Sequence, residues 1–428
     1  MPEMLADARR LLTPRRFDLN AKTVYARQRA KQVQCAWHQV LYLEHLKVWN
    51  GFFEAAPRKT RPEDFMRGFD ALLDDMAAGR WQPEAAPVPV REGSPYNGAH
   101  RVAGAIVHGV PLALTDQLDS GCDTADWTYF RDKTDIVPGG LAPLFSDAMA
   151  LEYVRNKRNV HTVSLFAADQ FDPAPAEALL RRFARIVYAK TVRFSELGRF
   201  NYTLGLYENE PWIGNAANGY AGLHFKKQGC FGSSDTVRVL LIEADALEPL
   251  VECKRLIREH YGRGNHSIHI NDSWRETWEI ASAVFNDNSL HFLNHGRPLA
   301  QPRLQALLAA YRAWMAEPGR DVEDFCVVSS AVMAAYGLRD CRDLDFLCHA
   351  EQPPAALPPG IGCHNSEIAH YGVHRDEIIY NPMHHFYHRG LKFCTLNVVK
   401  AMKWKRREQP KDIADLKLIL DFEQGQGS

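Results

Sequence analysis

"YNGAHRVAGAI", Tyr96 to Ile106, is the stretch on which the first part of the chain turns. Asn97-Gly98 is a turn pair, and the spacing predicts a helix beginning near His100-Arg101. Gly98 permits close backbone approach, while the first free N–H groups and the dipole of such a helix favour an anion. Arg101 carries a planar fork suited to phosphate. Just upstream, "APVPVRE" reads as a short strand. Before it, "EDFMRGFDALLDDMAAG" places Phe65, Phe69, Leu72, Leu73 and Met76 on one helical face. "LYLEHLKVWNGFF" reads as an aromatic-rich strand ending at Glu54, the first choice for a proton-accepting carboxylate, with Glu44 second. Residues 41–150 are therefore expected to be an α+β domain. Residues 1–40 read as a basic helical arm packing on the body, its charges forming a solvated face.

The totals narrow the classes. The chain has 428 residues, which calls for several domains. A net charge of −1 supplies no global field for nucleic acid or an anionic membrane. Nine cysteines stand singly without a CxxC pair, as expected of reduced thiols in a cytoplasm. The Cys348-His349 and Cys363-His364 pairs match no standard zinc spacing. No signal peptide and no apolar run of membrane-spanning length is found.

Further along, strands and helices alternate through 151–300. "NVHTVSLF", "RIVYAKTVRF", "DTVRVLLIEA" and "HSIHI" read as strands. "PAPAEALLRRFA", "ALEPLVECKRLIREHY" and "SWRETWEIASAVF" read as helices. A Gly- and aromatic-rich insert around 207–231 is expected to form a lid. His269 ends this series ahead of Asn271-Asp272-Ser273. Glu276 stands three residues after Ser273, so a capping box is expected there. That layout delivers His269 to a helix N-terminus, with Arg255 and Arg258 on the preceding helix as possible phosphate partners.

The last part, 301–428, opens with the helix "PRLQALLAAYRAWM". Its chemistry lies in "VVSSAVMAAYGLRDCRDLDFLC", Val327 to Cys348. A strand ends in Ser329-Ser330, a helix follows, and the next strand carries Asp343 and Asp345. Alternate strand residues face one side, so both carboxylates can share a divalent metal. Asp376 and Glu377 are choices for a third.

Each of these motifs resembles a known family. The Asn-Gly-Ala-His-Arg turn, within about 41–115, resembles that of the ParB/sulfiredoxin superfamily, some of whose members are nucleotide-dependent kinases of small molecules. "HSIHINDS", within about 157–297, resembles the phosphohistidine signature of nucleoside-diphosphate kinases, although Ile270 stands where that family has glycine. This likeness implies a ferredoxin-like domain. Ser329-Ser330 with Asp343 and Asp345, within about 321–424, resembles the nucleotidyltransferase fold.

Together the resemblances imply a cytoplasmic, multidomain α+β transferase of phosphorus-containing groups. The expected activity is a kinase acting on a hydroxyl of a small metabolite or sugar, with ATP or another nucleoside triphosphate as substrate and Mg²⁺ as cofactor. Asn97, Gly98, His100, Arg101, Arg258, Ser329 and Ser330 would hold nucleotide or phosphate. Glu54, His269, Asp343 and Asp345 would be catalytic, and the last two would bind metal. The alternatives are a surface-glycan transferase using a nucleotide-sugar or sugar-phosphate, and a non-enzymatic nucleotide or nucleic-acid binder. A homo-oligomer is compatible with either enzymatic reading.

Overall fold

A computed structural model describes residues 3–55, 58–117, 124–166, 172–351 and 356–425. The fold is a mixture of helices with three small sheets, an α+β architecture. The chain packs as two compact units. The first comprises residues 1–165, 172–191 and 238–278, and the second 166–171, 192–237 and 279–428. The segment expected as one domain over 151–300 is thus shared between them.

The first unit opens with β1 (Glu3–Leu5), α1 (Leu19–Ala30), α2 (Trp37–Asn50) and α3 (Pro62–Ala77). It continues with β2 (Val88–Arg91), β3 (Ser94–Pro95), α4 (Ala99–His108) and β4 (Leu112–Thr115). These strands form a sheet in the order β1-β4-β2-β3. Two expectations are corrected here. The aromatic run "LYLEHLKVWNGFF" is largely helical: Trp37, Leu41, Tyr42, His45 and Leu46 are buried at three- to five-residue intervals. Gly51, at φ +59°, ends that helix in the left-handed region. The arm of residues 1–40 packs on the body, but its charges are not all a solvated face, since Arg16 and Lys22 are buried. β1 is an edge strand of the sheet, and most of α1 is buried, with Tyr25 and Ala26 in a core shared with Tyr42, Phe69, Leu73 and Ala103.

α3 follows its pattern, with Pro62 in its first turn, Glu63 and Asp64 at its positive end, and Phe65, Phe69, Leu73 and Met76 inward. Gly104 lets α4 approach it closely: a Cβ there would lie 2.6 Å from Met76 Sδ.

A second sheet in this unit contains β5 (Val160–Phe166), β6 (Arg185–Arg193), β7 (Thr236–Glu243) and β8 (Ile268–Ile270), ordered β6-β7-β5-β8. Helix Ala174–Leu180 joins the first two strands, and Glu248–Tyr261 joins the last two. β5 is buried along its whole length, its polar His161, Thr162 and Ser164 included. The insert between β6 and β7, expected as a lid, contains helices Glu196–Tyr207 and Ala221–Phe231, which pack in the second unit.

The second unit holds β9 (Phe325–Val328), β10 (Leu344–Cys348), β11 (Ile361–Cys363), β12 (His385–His388) and β13 (Leu391–Cys394). Their order is β11-β10-β9-β13-β12. Tyr311 and Trp314, from the helix Pro302–Met315, pack against Phe346 of β10.

Candidate functional site

Gly98 is the N-cap of α4 at φ +81°, and no side chain caps that helix start. The turn is tightened by the Gly98 N–H, which donates to Asn97 Oδ1 at 2.6 Å. Arg101 does not extend from this turn as a free fork. It folds over Gly98, and its Nη1 donates to the carbonyls of Ala86 and Pro87, both at 2.8 Å. That brace ties the start of α4 to the segment entering β2.

Around this helix start lie cations and rings that the motif itself does not contain. His100 Nε2 sits 2.8 Å from the Tyr42 hydroxyl, and its ring meets Phe69 edge-on at 4.6 Å. Lys22, 3% exposed, reaches Asp18 at 2.7 Å and His45 Nε2 at 3.0 Å. Arg16 clamps Asp18 through two nitrogens at 2.8 and 2.9 Å, and its Nη1 donates to the carbonyl of Pro95 beside the motif. Glu54 and Lys59 close a short backbone bridge, with their side chains paired at 2.6 Å. Glu54 lies within electrostatic reach of Lys22 and Tyr42, and Lys59 within reach of His100.

The charge states follow from this packing. Burial, aided by Lys22, holds His45 well below its ordinary range. Burial does the same to His100, aided by Lys22 and Lys59. Both imidazoles are therefore neutral at neutral pH. Burial also pulls the Lys22 ammonium down, while Asp18 pushes it back up. Burial would raise Asp18, but Arg16 and Lys22 outweigh it and hold the carboxylate far below its usual range. Such a buried pair costs desolvation and survives because each member is hydrogen-bonded.

His269 lies elsewhere in the first unit. It is the middle residue of β8, half-buried and opposite Ser164 of β5. The capping box is present: Glu276 N–H donates to Ser273 Oγ at 3.2 Å, and Ser273 N–H donates to Glu276 Oε2 at 3.3 Å. Asp272 N–H donates to the same carboxylate oxygen at 3.2 Å. Glu276 thus takes the N–H groups that a phosphate would need. Arg255 is engaged by Glu252 and Glu259, and Arg258 stands in the last turn of its helix.

In the second unit the structure brings Ser329, Asp343 and Asp345 together. Ser329 adopts φ +63°, a backbone state favouring glycine, and Ser330 begins the helix after it. The Ser329 hydroxyl bonds Asp345, and His364 Nε2 lies 3.3 Å from that carboxylate. Burial pushes Asp345 up and Asp343 adds to this, against the pull of His364 and Ser329. Neither choice for a third carboxylate is drawn into this group by its hydrogen bonds. Asp376 is buried against His349 at 3.0 Å, and Glu377 bonds Asn381 at 3.0 Å. Asp345 pairs with Val328, and Val327 with Phe393, so one further step along β13 places Cys394 in the Asp345 row. Among the described residues no group of three or more His, Cys, Asp or Glu side chains could hold a metal. The donors here suit at most one Mg²⁺, completed by phosphate oxygens of a nucleotide.

No protein-family model matches the chain, and no match was found among the curated proteins or the solved structures. No helix among the described residues is long and apolar enough to cross a membrane.

The motif singles out Gly98 and His100, and the aromatic run before it Glu54, but neither singles out Tyr42, Lys22, His45 or Lys59. The i,i+4 spacing of Asp18 and Lys22 was the available signal for the buried pair.

Proposed function

We propose that the chain is a phosphotransferase whose active centre lies at the start of α4. One observation carries this reading: His100, in the first turn of a helix that no side chain caps, bonds Tyr42 and lies within electrostatic reach of Lys22 and of Lys59, which pairs with Glu54. The likeness of Asn97-Gly98-Ala99-His100-Arg101 to the ParB/sulfiredoxin turn supports it.

In this reading the first N–H groups of α4 and Lys59 hold the phosphates of a nucleoside triphosphate, while Lys22 stays paired with Asp18 behind them. Mg²⁺ bound to the triphosphate would supply neutralisation of the charge on its oxygens. Glu54, partly exposed beside Lys59, accepts the proton of an acceptor hydroxyl on a small metabolite or sugar. The acceptor oxygen bonds to the terminal phosphorus, the bond to the bridging oxygen breaks, and the nucleoside diphosphate leaves. Arg101 is a positioning residue that keeps the turn in shape.

The test is triphosphate turnover with a panel of hydroxyl acceptors. Wild type should consume triphosphate only with an acceptor present, and Glu54→Gln should lower turnover by about 10²-fold or more. Unchanged turnover in Glu54→Gln would overturn the assignment.

A second reading, metal-dependent nucleotidyl transfer at Asp343 and Asp345, is favoured by Ser329, whose strained backbone and hydroxyl both serve the carboxylate site. The β6-β7-β5-β8 order, with one helix between β5 and β6 and another between β7 and β8, also supports a ferredoxin-like domain.

A further inference from the structure

A separate cavity of about 60 Å³ lies within the second unit. Its wall combines Leu204, Phe292 and Ile280 with Glu208, Glu279 and His388. Arg312 ties the two carboxylates, with Nη2 at 2.5 Å from Glu279 and Nη1 at 3.8 Å from Glu208. Arg389 reaches Glu208 at 2.8 Å. Two carboxylates and two guanidiniums are thus held in one chain, each side chain 17–25% exposed.

Three features indicate that this wall is kept for a ligand. Arg389 and Gly390 form the two-residue turn between β12 and β13 with φ of +52° and +72°. Asn-Gly is the favoured pair for such a turn, so a strained arginine has been retained where it delivers a guanidinium to the cavity. Gly205, inside the helix Glu196–Tyr207, lines the cavity, and a Cβ built on it meets nothing within 4 Å. The glycine is exposed, so it lies on the open side of the wall, where a side chain would stand over the entrance. Finally, His388 Nε2 is buried and has no hydrogen-bond partner among the described residues.

We propose that this cavity binds one uncharged, hydroxyl-bearing ring of the monosaccharide or cyclitol class. Glu208 and Glu279 on the wall are paired with Arg389 and with Arg312, which does not itself line the cavity, so an ionic ligand would lose its hydration without gaining a free counter-ion. A hydroxyl can donate to the carboxylates or His388 and accept from Arg389, while the apolar wall receives a C–H face. At roughly 10–15 Å³ per water the space takes roughly four to six waters, enough for the buried face of one ring. Burial, followed by Arg389 and Arg312, keeps His388 well below its usual range and thus neutral. The proposal is independent of the phosphotransfer reading.

The experiment is saturation-transfer NMR with calorimetry on the full chain. The probes are methyl glucoside, methyl galactoside, N-acetylglucosamine and myo-inositol, with glucuronate and glucosamine as charged counterparts. At least one neutral ring should bind with Kd on the order of 1 mM, more tightly than either charged one. Gly205→Leu, which fills open space and favours helix, should weaken binding about tenfold or more while the protein melts no lower. Absence of binding by every neutral ring, equal binding in Gly205→Leu, or preference for a charged ring would each overturn the proposal.

Discussion

Helix α4 and the helix Trp274–Val284 both start after a turn suited to phosphate, and they start differently. The second closes on itself: Ser273 and Glu276 exchange hydrogen bonds, and Glu276 brings its own negative charge to the positive end. α4 begins at a left-handed Gly98 with no capping side chain, and Lys22, Lys59 and His100 stand nearby. A helix dipole attracts an anion only where its first N–H groups are still to be satisfied. A histidine beside a helix start is thus weaker evidence for phosphate than the absence of a cap.

The largest expected effect that separates the two starts is on turnover. Glu54→Gln should cost about 10²-fold or more, whereas His269→Ala should leave turnover within about twofold, measured with the same acceptor. A comparable loss in both variants would erase the distinction.

Stability comes next. Gly98→Ala places a Cβ 2.7 Å from Arg101 Nη2 at φ +81°, and should cost about 1–3 kcal/mol by denaturant melting. Ser273→Ala, which removes only a cap, should cost about 1 kcal/mol without a change in triphosphate affinity.

pH sharpens the comparison further. His45 and His100 have depressed values in the fold, so the unfolded chain binds more protons as pH falls through the ordinary histidine value of 6.5. Their contribution is complete above that value and is lost below it, at up to about 1.4 kcal/mol per pH unit for each ring. Urea melts between neutral and mildly acidic pH should show this slope, and His100→Gln should reduce it.

Much of the architecture was legible in the sequence because local pattern and final packing agree. The buried β7, the stripe of α3, the Ser273–Glu276 cap and the Ser329–Asp345 spacing are of this kind. The rest depended on tertiary pairing. Arg16 and Lys22 looked like solvated charges because their common partner Asp18 neutralises them only once α1 is buried. Tyr42 and His45 were hidden in a run whose aromatic content suggested a strand, although its buried positions follow helical spacing. Arg101 shows the converse: its local fork suits phosphate, yet the fold spends it on the carbonyls of Ala86 and Pro87.

The most direct measurement is hydrogen exchange of the full chain with and without Mg²⁺ and ATP. The account predicts that added nucleotide slows exchange at the amides of Gly98 to Arg101, leaving those of Ser273 to Thr277 and Ser329 to Asp345 unchanged. No slowing at Gly98 to Arg101, or slowing confined to either of the other two segments, would contradict it.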